Sequence, residues 1–209
     1  MAGADQDQQR EVVLRALEIL KHVPNGATPP EMGTKIHEIV RQITGQDDPY
    51  QKVKAQARSQ ALAMLPQLRE MVTKSDDPLD TALRLSIAGN IMDYGLNQNY
   101  DLWDVVKQVL QQKIAVDDSE ILRAELLKAD NVLILGDNTG ESVFDRLLIE
   151  TLEIPVTYAV RGGPVLNDTT REDALAVGID DVAEVIDSGC RVPGTILSSC
   201  SSSFKKRFS

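Results

Sequence analysis

Histidine, cysteine and aromatic side chains are scarce in this 209-residue chain. Each shortage removes a class of chemistry. His22 and His37 are the only histidines, and both fall in early helical stretches. A serine–histidine triad therefore lacks its base, no G-x-S-x-G elbow presents a serine, and a zinc site lacks Cys/His spacing. The two cysteines, Cys190 and Cys200, form no C-x-x-C and cannot make a disulfide framework, so a reducing cytoplasm is the expected location. They read as core or loop thiols. Aromatics, at 4%, are too few for a base-stacking surface. Bases are outnumbered: 32 acids against 22 bases give a net charge of -10, which excludes a general nucleic-acid face. No apolar run approaches the about 18 residues of a membrane span. The polar, acidic start from Met1 to Asp7 has no signal-peptide core. Neither a P-loop nor a G-x-G-x-x-G fingerprint is present.

What is present falls into two rhythms. Residues 1–128 read as a helical subdomain and residues 129–209 as an α/β subdomain. Val13, Ala16, Leu17 and Leu20 follow the i, i+3, i+4, i+7 pattern and predict one buried stripe. Pro24-Asn25-Gly26 breaks the chain and Pro29-Pro30 opens a second helix, with Ile36, Ile39, Val40 and Ile43 inward and Gly45 as its end. A third stretch, Tyr50 to Met71, carries Val53, Ala57, Ala61 and Leu65, and Pro66 is expected to kink or break it. Asp76-Asp77-Pro78 starts a fourth helix. Leu102 to Leu110 and Ser119 to Lys128 read as two more.

The period changes near Asp130. Val132-Leu133-Ile134-Leu135 is a short apolar run suited to a buried parallel strand. A helical pattern follows, then a strand at Pro155 to Val160, a helix at Arg171 to Val177 and a strand at Val182 to Ile186. Strand–helix–strand at this spacing is a βαβ unit. Thr195-Ile196-Leu197 is expected to be a fourth, very short strand. The predicted class is α/β, an open, mostly parallel sheet with flanking helices plus an N-terminal helical subdomain.

Ligands of open α/β sheets collect beyond the carboxyl ends of the strands. The first such segment is Gly136-Asp137-Asn138-Thr139-Gly140-Glu141-Ser142. Asp137 and Asn138 offer hard oxygens suited to Mg2+ or Mn2+. The helix beginning near Gly140 offers N–H donors to a phosphate. A plain turn with an Asx cap fits the same residues. The second segment, Arg161 to Asp168, brings another acid to an adjacent strand end, and Asn167-Asp168 also fits an N-cap. Asp137, Asn138 and Asp168 can converge on one cation. On the fourth helix, Ser86, Asn90 and Asp93 share a polar strip beside Leu83, Ile87 and Ile91. That strip serves either a helix-to-loop contact or a site on the sheet.

Together these blocks resemble a known family. The run from Val132 to Leu148, the block Arg161 to Asp168 with Asp173-Ala174 and Val177-Gly178, and Gly89-Asn90-Ile91-Met92-Asp93 are similar to the signatures of the metal-dependent damage-control phosphatases, in their compact prokaryotic branch. The resemblance implies a phosphatase acting on small phosphorylated metabolites, a metabolite-repair role. It implies that Asp137, Asn138 and Asp168 hold Mg2+, Mn2+ or Co2+. Asn90 and Asp93 line the pocket, and Glu141 stands at the helix start beside the metal. Asp137 and Glu141 are the candidate catalytic carboxylates, while Asn90, Asp93, Gly140 and Arg161 are candidate substrate contacts. No Cys-x-x-Cys precedes the first helix, and the sequence stops at Ser209 before the family's Lys-Gly-x-Gly-Asn segment, so the chain reads as trimmed at both ends. Two alternatives follow. One is a non-catalytic metal-binding fragment. The other is an S-adenosylmethionine-dependent carboxyl methyltransferase, which places its ribose acid after the second strand rather than at Asp137. A haloacid-dehalogenase mechanism needs Asp-x-Asp, and Thr139 stands two places after Asp137.

Overall fold

The computed structural model describes residues 4–93 and 101–208, the side chains of 91–93 apart. Six helices come first: α1 (Gln6–Leu20), α2 (Pro29–Thr44), α3 (Gln51–Lys74), α4 (Pro78–Asp93), α5 (Leu102–Gln111) and α6 (Ser119–Leu126). Then β1 (Val132–Leu135), α7 (Ser142–Thr151), β2 (Val156–Val160), α8 (Arg171–Ala176), β3 (Glu184–Asp187) and α9 (Ser202–Phe208) follow. The strands pair in the order β1-β2-β3, all parallel, with Val132 opposite Val156 and Thr157 opposite Glu184. This is the α/β class the sequence predicts. No helix among the described residues is long and apolar enough to cross a membrane.

Local chemistry accounts for the boundaries. Asp5 and Gln8 form a reciprocal capping box on α1, with Gln8 N–H donating to Asp5 Oδ1 at 2.8 Å and Asp5 N–H to Gln8 Oε1 at 3.1 Å. Thr28 and Glu31 do the same for α2, and Pro29 supplies its first position. Gly45 closes α2 in the left-handed region at φ 67°, where a Cβ would be strained.

The central strand β2 is buried throughout, and its alternation divides the interior. Val156, Tyr158 and Val160 join a large cluster with Leu68 of α3, Leu85 of α4, Val106 of α5 and Phe144 of α7. Ala159 faces a second cluster with Cys190, Cys200 and Phe204 of α9. Both cysteines are free and buried there. A third, small cluster of Val12, Ile39 and Val40 joins α1 to α2.

Three sequence expectations change. The buried stripe of α1 is Val12, with Ala16 and Ile19 half-buried, whereas Val13, Leu17 and Leu20 are exposed. Moving one residue along a helix turns the face by about 100°, and α2 meets α1 on the Val12 side. Pro66 does not end α3, which runs unbroken to Lys74. Pro66 is exposed while Met64, Leu65, Leu68 and Val72 are buried. Burial at about 1.5–3 kcal/mol per side chain outweighs the ~3 kcal/mol cost of an interior proline. Thr195 to Leu197 is not a strand. Gly194 turns the chain at φ 82°. The Ile196 carbonyl then accepts from Ser199 N–H at 2.8 Å and from the Cys200 thiol at 3.4 Å, leading into a 3-10 turn at Leu197–Ser199.

Candidate functional site

β1 ends against Tyr158. Gly136 donates its N–H to the Ala159 carbonyl at 2.9 Å. A Cβ there would lie 2.5 Å from the Tyr158 hydroxyl oxygen, so glycine is required by close approach. The chain then presents Asp137. After β2 a second loop runs from Arg161 to Asp168 and turns through Leu166, which has a positive φ of 47°. Such backbone costs on the order of 1–2 kcal/mol in a non-glycine residue and persists where surrounding bonds impose it.

Those bonds join the two loops. Asn138 and Asp168 form an antiparallel bridge. Thr169 N–H donates to the Asp137 carbonyl at 2.6 Å, and Thr139 N–H and hydroxyl both donate to the Asn167 carbonyl at 3.0 Å. The loops after β2 and β3 also touch backbone to backbone. Gly162 N–H donates to the Cys190 carbonyl at 3.0 Å, and a Cβ on Gly162 would lie 2.7 Å from the Gly189 carbonyl carbon.

Between the stitched loops lies the Arg161 guanidinium. Its Nη2 donates to Asp137 Oδ1 at 2.6 Å, its Nε to Asp168 Oδ2 at 2.6 Å and its Nη1 to Thr195 Oγ1 at 3.2 Å. Arg161 and Asp168 are buried, whereas the Asp137 side chain is 45% exposed. Burial pushes the Asp168 carboxyl above its usual range, against the pull of Arg161. Asn138, also buried, spends its amide nitrogen on Asp137 Oδ2 at 3.3 Å and weakly on Glu141 Oε2 at 3.5 Å.

The helical layer supplies the opposite wall. Asn90 of α4 donates to Glu141 Oε2 at 3.1 Å. Burial, reinforced by the nearby Asp145 charge, pushes the Glu141 carboxyl up to about 7. One turn along each helix, the Ser86 hydroxyl donates to Asp145 Oδ1 at 2.9 Å and the Tyr158 hydroxyl to Asp145 Oδ2 at 2.7 Å. Burial lifts Asp145 to about 6, although both hydrogen bonds favour its charged form.

The structure thus brings Asp137, Asn138, Asp168 and Arg161 together, with Glu141 and Asn90 beside them. Gly140 lies in the turn just before α7, facing Ala57 of α3. The Asp93 side chain lies outside the described residues. Sequence reasoning missed that Arg161 binds both acids, and it missed Asp145 and Tyr158. Asp145 follows Glu141 by four residues, as Asn90 follows Ser86, so matching i, i+4 spacing on two helices was an available signal. Tyr158, inside an apolar strand, gave none.

Among the described residues, no group of three or more His, Cys, Asp or Glu stands as a metal cluster. The donors here are two carboxylates and an amide oxygen, a set that suits a hard cation. Arg161 takes one oxygen of each carboxylate, Asp137 Oδ1 and Asp168 Oδ2, and leaves the second oxygen of each off the guanidinium, so the donor set fits such an ion.

Comparison with known proteins gives the family of the chain. The damage-control phosphatase ARMT1-like domain model matches residues 1–209. The chain is 35% identical over 204 residues to a damage-control phosphatase of Archaeoglobus fulgidus, covering 92% of this chain and 69% of that protein. It is 31% identical over 214 residues to a damage-control phosphatase of Pyrococcus horikoshii, covering 100% and 74% respectively. An uncharacterized protein of Methanocaldococcus jannaschii is 33% identical over 214 residues, 98% of this chain and 70% of that protein. The crystal structure of a DUF89 family protein from Pyrococcus horikoshii aligns with a TM-score of 0.87 at 29% identity, over 99% of this chain and 74% of that one. With its two acidic strand-end loops and these relatives, the chain belongs to the damage-control phosphatase ARMT1-like family.

Proposed function

We propose that the protein hydrolyses phosphomonoesters of small metabolites with the help of a divalent cation, Mg2+, Mn2+ or Co2+, in the cytoplasm. The observation that carries this reading is the convergence of Asp137, Asn138 and Asp168 from two stitched loops at the carboxyl end of a parallel sheet, in a chain of a phosphatase family. These three residues hold the cation through oxygen. When bound, the cation neutralises negative charge that spreads over the phosphoryl oxygens. A chain of net charge -10 repels an anionic substrate unless its site is locally positive.

The chain's own residues do the rest. Arg161 fixes Asp137 and Asp168 relative to each other and adds a positive charge. Glu141, whose carboxyl burial pushes up in the cation-free chain, is the candidate proton donor to the departing alkoxide oxygen. Asn90 holds that carboxyl in place. Gly140 offers a backbone N–H to a phosphate oxygen. Water and phosphomonoester give phosphate and the free alcohol.

Asp137→Ala tests the reading. Hydrolysis of p-nitrophenyl phosphate with added Mn2+ should vanish while circular dichroism stays unchanged, and EDTA should abolish wild-type turnover. Undiminished turnover in Asp137→Ala overturns the assignment. Mn2+ binding with no turnover on any phosphomonoester identifies a non-catalytic binding module. Heat of binding with S-adenosylmethionine points to the methyltransferase alternative.

A further inference from the structure

Asp145 is a buried carboxyl that the proposed chemistry does not use. It lies between Phe144 and Leu147 within the large apolar cluster, where an ionised group is a costly occupant. Apolar side chains of similar size would serve packing at least as well. What distinguishes Asp145 is what its oxygens hold. Oδ1 accepts from Ser86 of α4 and Oδ2 from Tyr158 of β2, so one side chain of α7 ties a helix and the central strand together.

Tyr158 carries the effect to the site. Its ring end lies directly against Gly136, so closely that no side chain fits there. Gly136 is the residue before Asp137, and its N–H is fixed to Ala159 next to Tyr158 in the same strand. A tyrosine free to rotate or retreat would leave the backbone at Gly136 without its stop. The hydrogen bond to Asp145 holds the ring end in place.

We infer that Asp145 is a positioning residue: through the Tyr158 hydroxyl it sets Gly136, and so the point at which the chain presents Asp137 to the cation. This rests on the reading of Asp137 as a cation ligand. Outer groups of this kind typically shift metal affinity or activity by about 10- to 100-fold when removed.

The test compares wild type, Asp145→Asn, Tyr158→Phe and Leu68→Ala by calorimetric titration with Mn2+ alone, alongside kcat and KM for p-nitrophenyl phosphate and the melting temperature of each. Tyr158→Phe keeps the ring and loses only the hydroxyl, and it serves should Asp145→Asn fail to fold. Both site-side variants should bind Mn2+ about 10- to 100-fold more weakly, with kcat falling at a given Mn2+ concentration. Leu68→Ala, which removes core volume but neither partner of the Asp145–Tyr158 hydrogen bond, should lower the melting temperature and leave Mn2+ affinity unchanged. Wild-type affinity in both Asp145→Asn and Tyr158→Phe overturns the inference while leaving the phosphatase reading intact, as does an equal loss of affinity in Leu68→Ala. Absence of Mn2+ binding to the wild type overturns the reading and the inference together.

Discussion

The α1–α2 hairpin and the body formed by α3, α4, α5, α7 and the sheet are built to different standards. The body has a large cluster with Leu68, Leu85, Val106, Phe144 and Tyr158 fully buried. The hairpin has Val12, Ile39 and Val40, and it leaves Val13, Leu14, Leu17 and Leu20 about half in solvent. Its ion pair Arg15–Glu11, at 2.7 Å, is exposed on both sides and contributes little. The candidate site is built on the body, where dense packing holds buried polar groups such as Asp168 and Asp145 in one geometry. The difference teaches that buried charge goes with dense packing here: the well-packed region carries the electrostatically expensive groups, and the loosely covered region carries none of the candidate site.

Five variants and one pH series break or sharpen that contrast. The largest expected effect is chemical: Asp137→Ala should cut turnover by about a thousand-fold or more with the melting temperature nearly unchanged. Next, Glu141→Gln should lower kcat/KM by about a hundred-fold and remove a limb of its pH profile. The sign follows from the raised carboxyl. Its neutral form donates the proton, so wild-type activity falls as pH rises through the Glu141 titration, and the variant lacks that descent. A wild-type profile with no descending limb defeats this role. Stability runs in the same direction, because Asp145 and Glu141 both bind protons more tightly when folded. Their contribution is fully present below about pH 4 and is lost as pH rises through about 6 and about 7, a trend that denaturant titrations across pH detect.

Packing changes come third and fourth. Leu68→Ala should destabilise the body by about 2–5 kcal/mol. Val12→Ala should cost only about 1–2 kcal/mol and leave kcat and KM untouched. Equal losses would erase the distinction between the two regions. Smallest is Gly45→Ala, expected to cost about 1 kcal/mol because a Cβ must enter the left-handed region at φ 67°. Chemical denaturation of each variant reads these values.

The sequence made the sheet legible wherever one period dominated. Val132 to Leu135 and Pro155 to Val160 read as buried strands because both are short and mostly apolar; both hold strands, β2 buried throughout and β1 only half-buried with Leu135 exposed. Pro29 and Gly45 marked both ends of α2 through their own backbone limits. Where tertiary contact decides, the pattern misled. α1 has apolar residues at 12, 13, 14, 17, 19 and 20, so more than one stripe was available, and only α2 selects Val12. At Thr195 to Leu197, Ile196 serves the cluster beside Cys190 and Cys200 rather than a ladder, and Leu197 is exposed. The acidic loops could be read from residue type and place beyond strand ends. The double ion pair of Arg161 could not, because nothing local says that a cation after β2 reaches an acid after β1.

The main-chain crossing of Gly162 over Gly189 and Cys190 carries a consequence for redesign. A clash between two backbones has no rotamer by which to relax. Anyone altering selectivity by transplanting the segment after β2 from a cousin should move the one after β3 with it, as a matched set. Grafted alone, either would arrive with a crossover its neighbour was not shaped to admit.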